Sequence, residues 1–152
     1  MKYYLDTSAL LKKYVHEAGS IWLQGLLATP HTLATTTHLV MAEIISALNR
    51  RVREGSVAAA DYARLVDRFR DDCRVTYQLI AVNNEILYGA GDLLERYPLR
   101  AYDAIHLATA LTVKRRLLAS GASGLVFLCA DDRLLQAAVG EGLAVDNPND
   151  HP

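Results

Sequence analysis

Short apolar runs bounded by polar residues alternate along this chain with longer stretches of helical period. That alternation limits the fold more than any other feature, because strands spaced by helices close into a largely parallel sheet with helices packed on it. Strands are predicted at Lys2–Leu5, Leu33–Thr35, Thr76–Val82, Leu125–Cys129 and Ala144–Val145, each short enough to be a buried strand. Helices are predicted near Ser8–His16, Ile21–Ala28, Leu39–Glu54, Ser56–Cys73, Asn84–Arg96, Tyr102–Ser120 and Arg133–Glu141. The breaks at Gly19–Ser20, Glu54–Gly55–Ser56, Tyr97–Pro98 and Gly121–Ala122–Ser123–Gly124 suit short connections rather than linkers. Residues 1–152 therefore read as one α/β domain with a mainly parallel sheet of about five strands, ending in a frayed tail that includes His151.

The 152 residues, 51% hydrophobic and 22% charged, suffice for a core that needs neither disulfides nor a structural metal. Cys73 and Cys129 lie far apart in apolar segments, where cysteine acts as a small hydrophobe, and a reducing cytoplasm is the expected setting. Asp6, Lys12 and Lys13 interrupt the N-terminal apolar stretch, so it does not read as a signal peptide. No apolar run approaches the ~18–20 residues of a membrane span. With 16 basic and 17 acidic side chains the net charge is −1, which argues against a strongly basic nucleic-acid binder. Twelve of the basic residues are arginines, a weak hint of phosphate or carboxylate recognition. Arg50, Arg51, Arg53, Arg64, Arg68, Arg70 and Arg74 crowd the helical hairpin around Gly55, either as a phosphate-tracking stripe or, more simply, as a solvated face.

Four acids stand in unusual contexts. Asp6 follows the first strand, Asp131 follows the fourth, Asp103 opens a helix, and Glu43 sits among Val40, Met41, Ala42, Ile44 and Ile45. Each aspartate has a local explanation as a helix cap or first-turn acid. Glu43 has the alternative of reaching solvent or an arginine such as Arg50. Yet in a parallel α/β sheet the ends of strands and the starts of helices gather at one edge, where ligands bind. Four carboxylates meeting there would repel one another unless a cation neutralised them. Oxygen ligands favour Mg²⁺ or Mn²⁺, and no compact His/Cys set points to zinc. Such a site suits phosphodiester hydrolysis. Thr7 and Ser8 could add hydroxyl contacts or cap the helix, and His106, one turn after Asp103, could orient a carboxylate or simply pack.

The segments Y-L-D-T-S-A-L-L, M-A-E-I, R-A-Y-D-A-I-H-L-A-T-A and C-A-D-D-R-L-L-Q-A-A, followed by G-L-A-V-D-N-P, together resemble the PIN-domain ribonucleases from Tyr3 to about Pro148, most closely the VapC toxins of VapBC pairs. The resemblance implies a three-layer α/β/α sandwich and a Mg²⁺- or Mn²⁺-dependent endoribonuclease. It carries the acidic metal positions onto Asp6, Glu43, Asp103 and Asp131, with Asp132 an understudy to Asp131. Thr7, Ser8 and His106 fall on supporting positions. It further implies a cytoplasmic homodimer, an RNA substrate, no membrane, and a small VapB-like antitoxin that blocks the acidic pocket, often with an arginine.

Two rival readings follow from the same residues. A strand-end aspartate also opens haloacid-dehalogenase-like phosphatases, which usually carry D-x-D where this chain has Ser8. An acidic cluster could also serve only to dock a basic partner, without catalysis.

Overall fold

The computed structural model describes residues 1–122 and 124–151; Ser123 of the predicted break and Pro152 of the predicted tail lie outside them. Five strands, β1 (Lys2–Leu5), β2 (Leu33–Thr37), β3 (Tyr77–Ile80), β4 (Leu125–Leu128) and β5 (Ala144–Asp146), form one sheet in the order β3-β2-β1-β4-β5. Every pairing is parallel. The chain lays β2 and β3 to one side of β1, then crosses back to lay β4 and β5 on the other. The order therefore reverses between β1 and β4, and the crevice beyond their C-terminal ends is where such sheets bind ligands.

Side chains alternate across β1, which divides the core in two. Tyr3 and Leu5 pack with Leu10, Leu23, Ile44, Leu48 and Phe69 from α1 (Thr7–Leu11), α2 (Ser20–Ala28), α3 (Val40–Arg53) and α4 (Ala59–Val75). Tyr4, on the other face, packs with Phe127 and with Ile86, Leu107 and Leu134 from α5 (Asn84–Arg96), α6 (Ala101–Ala119) and α7 (Asp132–Gly140). The result is the three-layer sandwich. Among the described residues no helix is long and apolar enough to cross a membrane.

Several boundaries depart from the sequence reading for local reasons. The first helix ends at Leu11 rather than His16. There the Lys12, Lys13 and Tyr14 amides turn back three residues to Ala9, Leu10 and Leu11, and the Lys12 ammonium is drawn inward onto Glu17 Oε1 (3.0 Å), the Ala18 carbonyl (2.9 Å) and Asn149 Oδ1 (2.7 Å). Helix α4 starts at Ala59, not Ser56, because the Ser56 and Val57 amides close the end of α3 on the Arg51 carbonyl. Much of the predicted arginine stripe is a solvated face: Arg50, Arg64 and Arg74 are exposed and pair with Glu54, Asp61 and Asp71 on their own helices or helix ends.

The tail does not fray. Pro148–Asp150 forms a 3-10 turn, and the His151 ring stacks on Trp22 (centroids 3.9 Å, 5° between planes) while Nε2 meets Asp146 Oδ1 at 2.8 Å. Composition could not reveal this, since the ring that His151 stacks on, Trp22, is supplied by a distant element. Gly19 makes the docking possible: it has φ +80°, and a Cβ there would fall 2.0 Å from the Pro148 carbonyl oxygen. Gly19→Ala is therefore expected to destabilise the fold by about 2 kcal/mol or more, lowering the thermal midpoint by roughly 4–8 °C, as thermal unfolding would measure.

Candidate active site

The four acids singled out in the sequence all line one cavity of about 810 Å³ at the C-terminal edge of the sheet. Asp6 is delivered by the end of β1, where its amide continues the ladder by donating to the Leu128 carbonyl. Its side chain caps α1 by accepting from the Ala9 amide at 2.8 Å. Only 4% exposed, it is further satisfied by Ser8 Oγ, 2.8 Å from both carboxylate oxygens, and by the Cys129 thiol, 3.1 Å from Oδ2. Asp131 caps α7 through Oδ1, which accepts from the Arg133 and Leu134 amides. Capping thus accounts for Asp6 and Asp131 locally. Asp103 takes the other local role, a first-turn acid of α6 whose carboxyl feels the amide of Arg100 at the N-cap.

Glu43 reaches neither Arg50 nor another arginine or lysine side chain. Its Oε2 accepts from Thr7 Oγ1 at 2.6 Å and stands 2.8 Å from His106 Nε2. His106 is 2% exposed, and its Nδ1 lies 3.1 Å from the hydroxyl of fully buried Tyr4. Asp132 does not line the cavity; its Oδ1 accepts from Asn147 Nδ2.

The sequence reading missed the parts played by Cys129 and Tyr4, both of which pass for core apolar residues. The Cys129 sulfur also accepts from the Asp131 amide at 3.2 Å, and Ser8 Oγ accepts from the Ala130 amide at 2.8 Å, so the two strand ends are laced together beneath the acids. Asn149 of the docked tail also lines the cavity, as do Arg50, Arg51 and Arg100 on its rim. Tyr102, 59% exposed, is an aromatic on the same wall beside Asp103. None of these could be placed without the fold.

The acids fall into two electrostatic classes. Burial pushes the Asp6 carboxyl upward against the opposing pull of His106 and its hydrogen-bond donors. Burial and the charges of Asp131 and Asp6 push Asp103 up as well. For Glu43 burial acts upward too, but the hydrogen bonds and charge of His106 and the Thr7 hydroxyl outweigh it and hold the carboxyl below its ordinary value. Among the described residues no lysine or arginine pairs with Asp6, Asp103 or Asp131. Nor do any three His, Cys, Asp or Glu side chains among them stand close enough to cage an ion as they are; the carboxylates ring the cavity. The donor set nevertheless suits a hard divalent cation: all oxygen, uncompensated, and partly desolvated. Ser8 is committed to Asp6 and Ala130, so nothing at that position supplies the second acid of a D-x-D phosphatase.

Comparison with known proteins agrees with this geometry. The family model described as PIN domain matches residues 3–138. Ribonuclease VapC46 of Mycobacterium tuberculosis is 35% identical over 147 residues, spanning 96% of this chain and 97% of its own. Among solved structures, a toxin-antitoxin complex from Klebsiella pneumoniae superimposes with a TM-score of 0.63 at 19% identity, covering 96% of this chain and 97% of that one. FitAcB from Neisseria gonorrhoeae gives 0.65 at 15% identity with the same coverage.

The raised carboxyls cost stability in the metal-free protein. A carboxyl whose pKa is higher folded than unfolded favours the fold below its unfolded pKa and loses that benefit as the pH rises through the folded value. Glu43 has the opposite sign, favouring the fold above its unfolded pKa and losing the benefit as the pH falls through its lowered value. Asp103→Asn is therefore expected to raise the metal-free melting midpoint near pH 7. The gain should vanish as the pH falls below the ordinary aspartate range, which a pH series of thermal melts would check.

Proposed function

The chain belongs to the PIN-domain family, and from that premise we propose that it is a metal-dependent endoribonuclease acting as the toxin of a toxin–antitoxin pair. The observation that carries this reading is the ring of aspartates without a cationic partner at the strand-order reversal, facing one open cavity with Glu43. Repulsion left uncompensated in this way is a preparation for a cation.

In this reading Asp6 and Asp103 hold the principal Mg²⁺ or Mn²⁺, and Glu43 and Asp131 complete the site and position water. When bound, the ion lowers the pKa of water and neutralises charge on the leaving oxygen of a phosphodiester. The chain's own residues do the rest. Ser8 and Cys129 hold Asp6 in place, and the capped Asp131 is fixed by the first turn of α7. Thr7 and His106 restrain Glu43, so these two act through the acid rather than on RNA. Arg50 and Arg100 on the rim offer charge to RNA phosphates, and the exposed Tyr102 ring offers a face on which an unpaired base can stack.

A small VapB-like antitoxin, binding in the cytoplasm to a homodimer of this chain, would inhibit by placing a basic side chain among the acids. The uncompensated charge supports that partner as well as it supports a metal ion. The structural relatives that are toxin-antitoxin complexes support it too.

Antitoxin-free protein is expected to cut end-labelled structured RNA at discrete positions in Mg²⁺ or Mn²⁺ and not in EDTA. Asp103→Asn should lower the rate roughly 10²–10³-fold, the scale of removing one group that stabilises transition-state charge. Cleavage that persists in EDTA or in the variant would overturn the assignment. Expression of the wild-type chain should arrest growth and Asp103→Asn should not.

A further inference from the structure

Beneath the acidic cavity lies a buried polar chain that the hydrolytic reading does not by itself require: Tyr4, His106 and Glu43, drawn from β1, α6 and α3. All three layers of the sandwich contribute to it. We propose that Tyr4 and His106 are a positioning pair that anchors Glu43 through Oε2 alone, leaving Oε1 as the one oxygen this acid presents to a metal ion or to water. The inference rests on the proposed nuclease function for what Oε1 meets, but not for how Oε2 is held.

The hydrogen inventory makes the case. Glu43 Oε2 has Thr7 Oγ1 at 2.6 Å and His106 Nε2 at 2.8 Å, while Oε1 has no hydrogen-bond partner among the described residues. Thr7 Oγ1 and His106 Nε2 are 3.2 Å apart. Thr7 Oγ1 spends its hydrogen on Oε2, so Nε2 is the donor in both of its contacts, to Oε2 and to the Thr7 oxygen. A carboxylate accepts only, so an imidazole nitrogen 2.8 Å from it has to carry a hydrogen. A bare Nε2 would set its lone pair against those of Oε2. In the neutral ring the other nitrogen, Nδ1, is then the acceptor, and the Tyr4 hydroxyl 3.1 Å away is its donor.

Tyr4 is free to donate in that direction because its polar neighbours already spend their own hydrogens elsewhere. Thr36 Oγ1 donates to the Leu5 carbonyl and Thr109 Oγ1 to the Ile105 carbonyl, each at 2.7 Å. Tyr4 itself cannot swing away, being fully buried and stacked on Phe127 with ring centroids 5.5 Å apart. A hydroxyl two bonds removed from the cavity thereby fixes which oxygen of Glu43 is available inside it.

The first test needs neither metal nor RNA. Long-range ¹H–¹⁵N spectra of the histidine rings in the metal-free protein at neutral pH should show hydrogen on His106 Nε2, and Tyr4→Phe should shift the ring away from that form. An unprotonated Nε2 in the wild-type protein would overturn the proposal. The second test separates positioning from structure by a double-mutant cycle, read by Mn²⁺ titration and RNA cleavage. Tyr4→Phe and His106→Leu are expected to weaken Mn²⁺ binding or kcat by roughly 10–100-fold, the usual cost of losing a group that orients a metal ligand. His106→Gln, which keeps a donor toward Glu43, should recover part of the loss. In a Glu43→Gln background the same changes should cost nothing further, since there is no carboxylate left to hold. Full additive losses in that background, or wild-type binding and turnover in a folded Tyr4→Phe, would overturn the inference while leaving the nuclease reading intact. A wild-type protein that binds no Mn²⁺ and cuts no RNA would overturn the nuclease reading and, with it, the role given to Oε1.

Discussion

A carboxylate removed from water without a cation beside it is among the costlier things a small domain can contain, and Asp6 is that carboxylate. It is satisfied by the Ala9 amide, by the Ser8 hydroxyl serving both oxygens, and by the Cys129 thiol. The first two come from the turn into α1, and the thiol comes from the far side of the crevice. Asp6 can therefore be buried only if β1 and β4 are neighbours in the observed register. The sheet order and the site are one solution to one electrostatic problem, and the amide of Ala130 tied to Ser8 and that of Asp131 tied to Cys129 belong to the same solution.

The remaining acids divide by how fully the chain itself answers their charge. Glu43 is answered: His106 and Thr7 hold it ionised and in place. Asp103 is not, and the charges of Asp131 and Asp6 bear on it directly. A domain that keeps such repulsion at its ligand-binding edge gives up stability for readiness, the exchange expected of functional rather than purely structural acids. Within that edge the anchored glutamate supplies rigidity and the aspartates carry the unanswered charge.

Much of this is legible in the amino-acid sequence because it rests on local rules. Asp6 and Asp131 each stand directly between an apolar run and a helical period, so both the cap and its place at the sheet edge follow from the pattern. Glu43 is conspicuous as an acid among apolar neighbours. Other features depend on what the fold brings together, which no local rule encodes. Tyr4 alternates correctly as a strand residue, and nothing beside it in the sequence announces that its hydroxyl meets a histidine on α6. Cys129 has the neighbours of a core cysteine, and its bond to Asp6 exists only because β1 and β4 pair. The polar composition of the tail predicts fraying. It docks instead because Gly19, Lys12 and Trp22 converge on it from another part of the chain.

The reversal of strand order between β1 and β4 also gives the site a timetable. Asp6 is synthesised 123 residues ahead of Cys129, its neighbour across the crevice, and Asp131 follows two residues later. At about 5–20 residues per second, roughly 6–25 s separate the synthesis of the two walls. Through that interval β1 lacks the strand on one of its sides, Asp6 lacks its thiol donor, and the cavity has no far wall. A site built in this order cannot close around anything until its second wall has been made, however early its first acid appears.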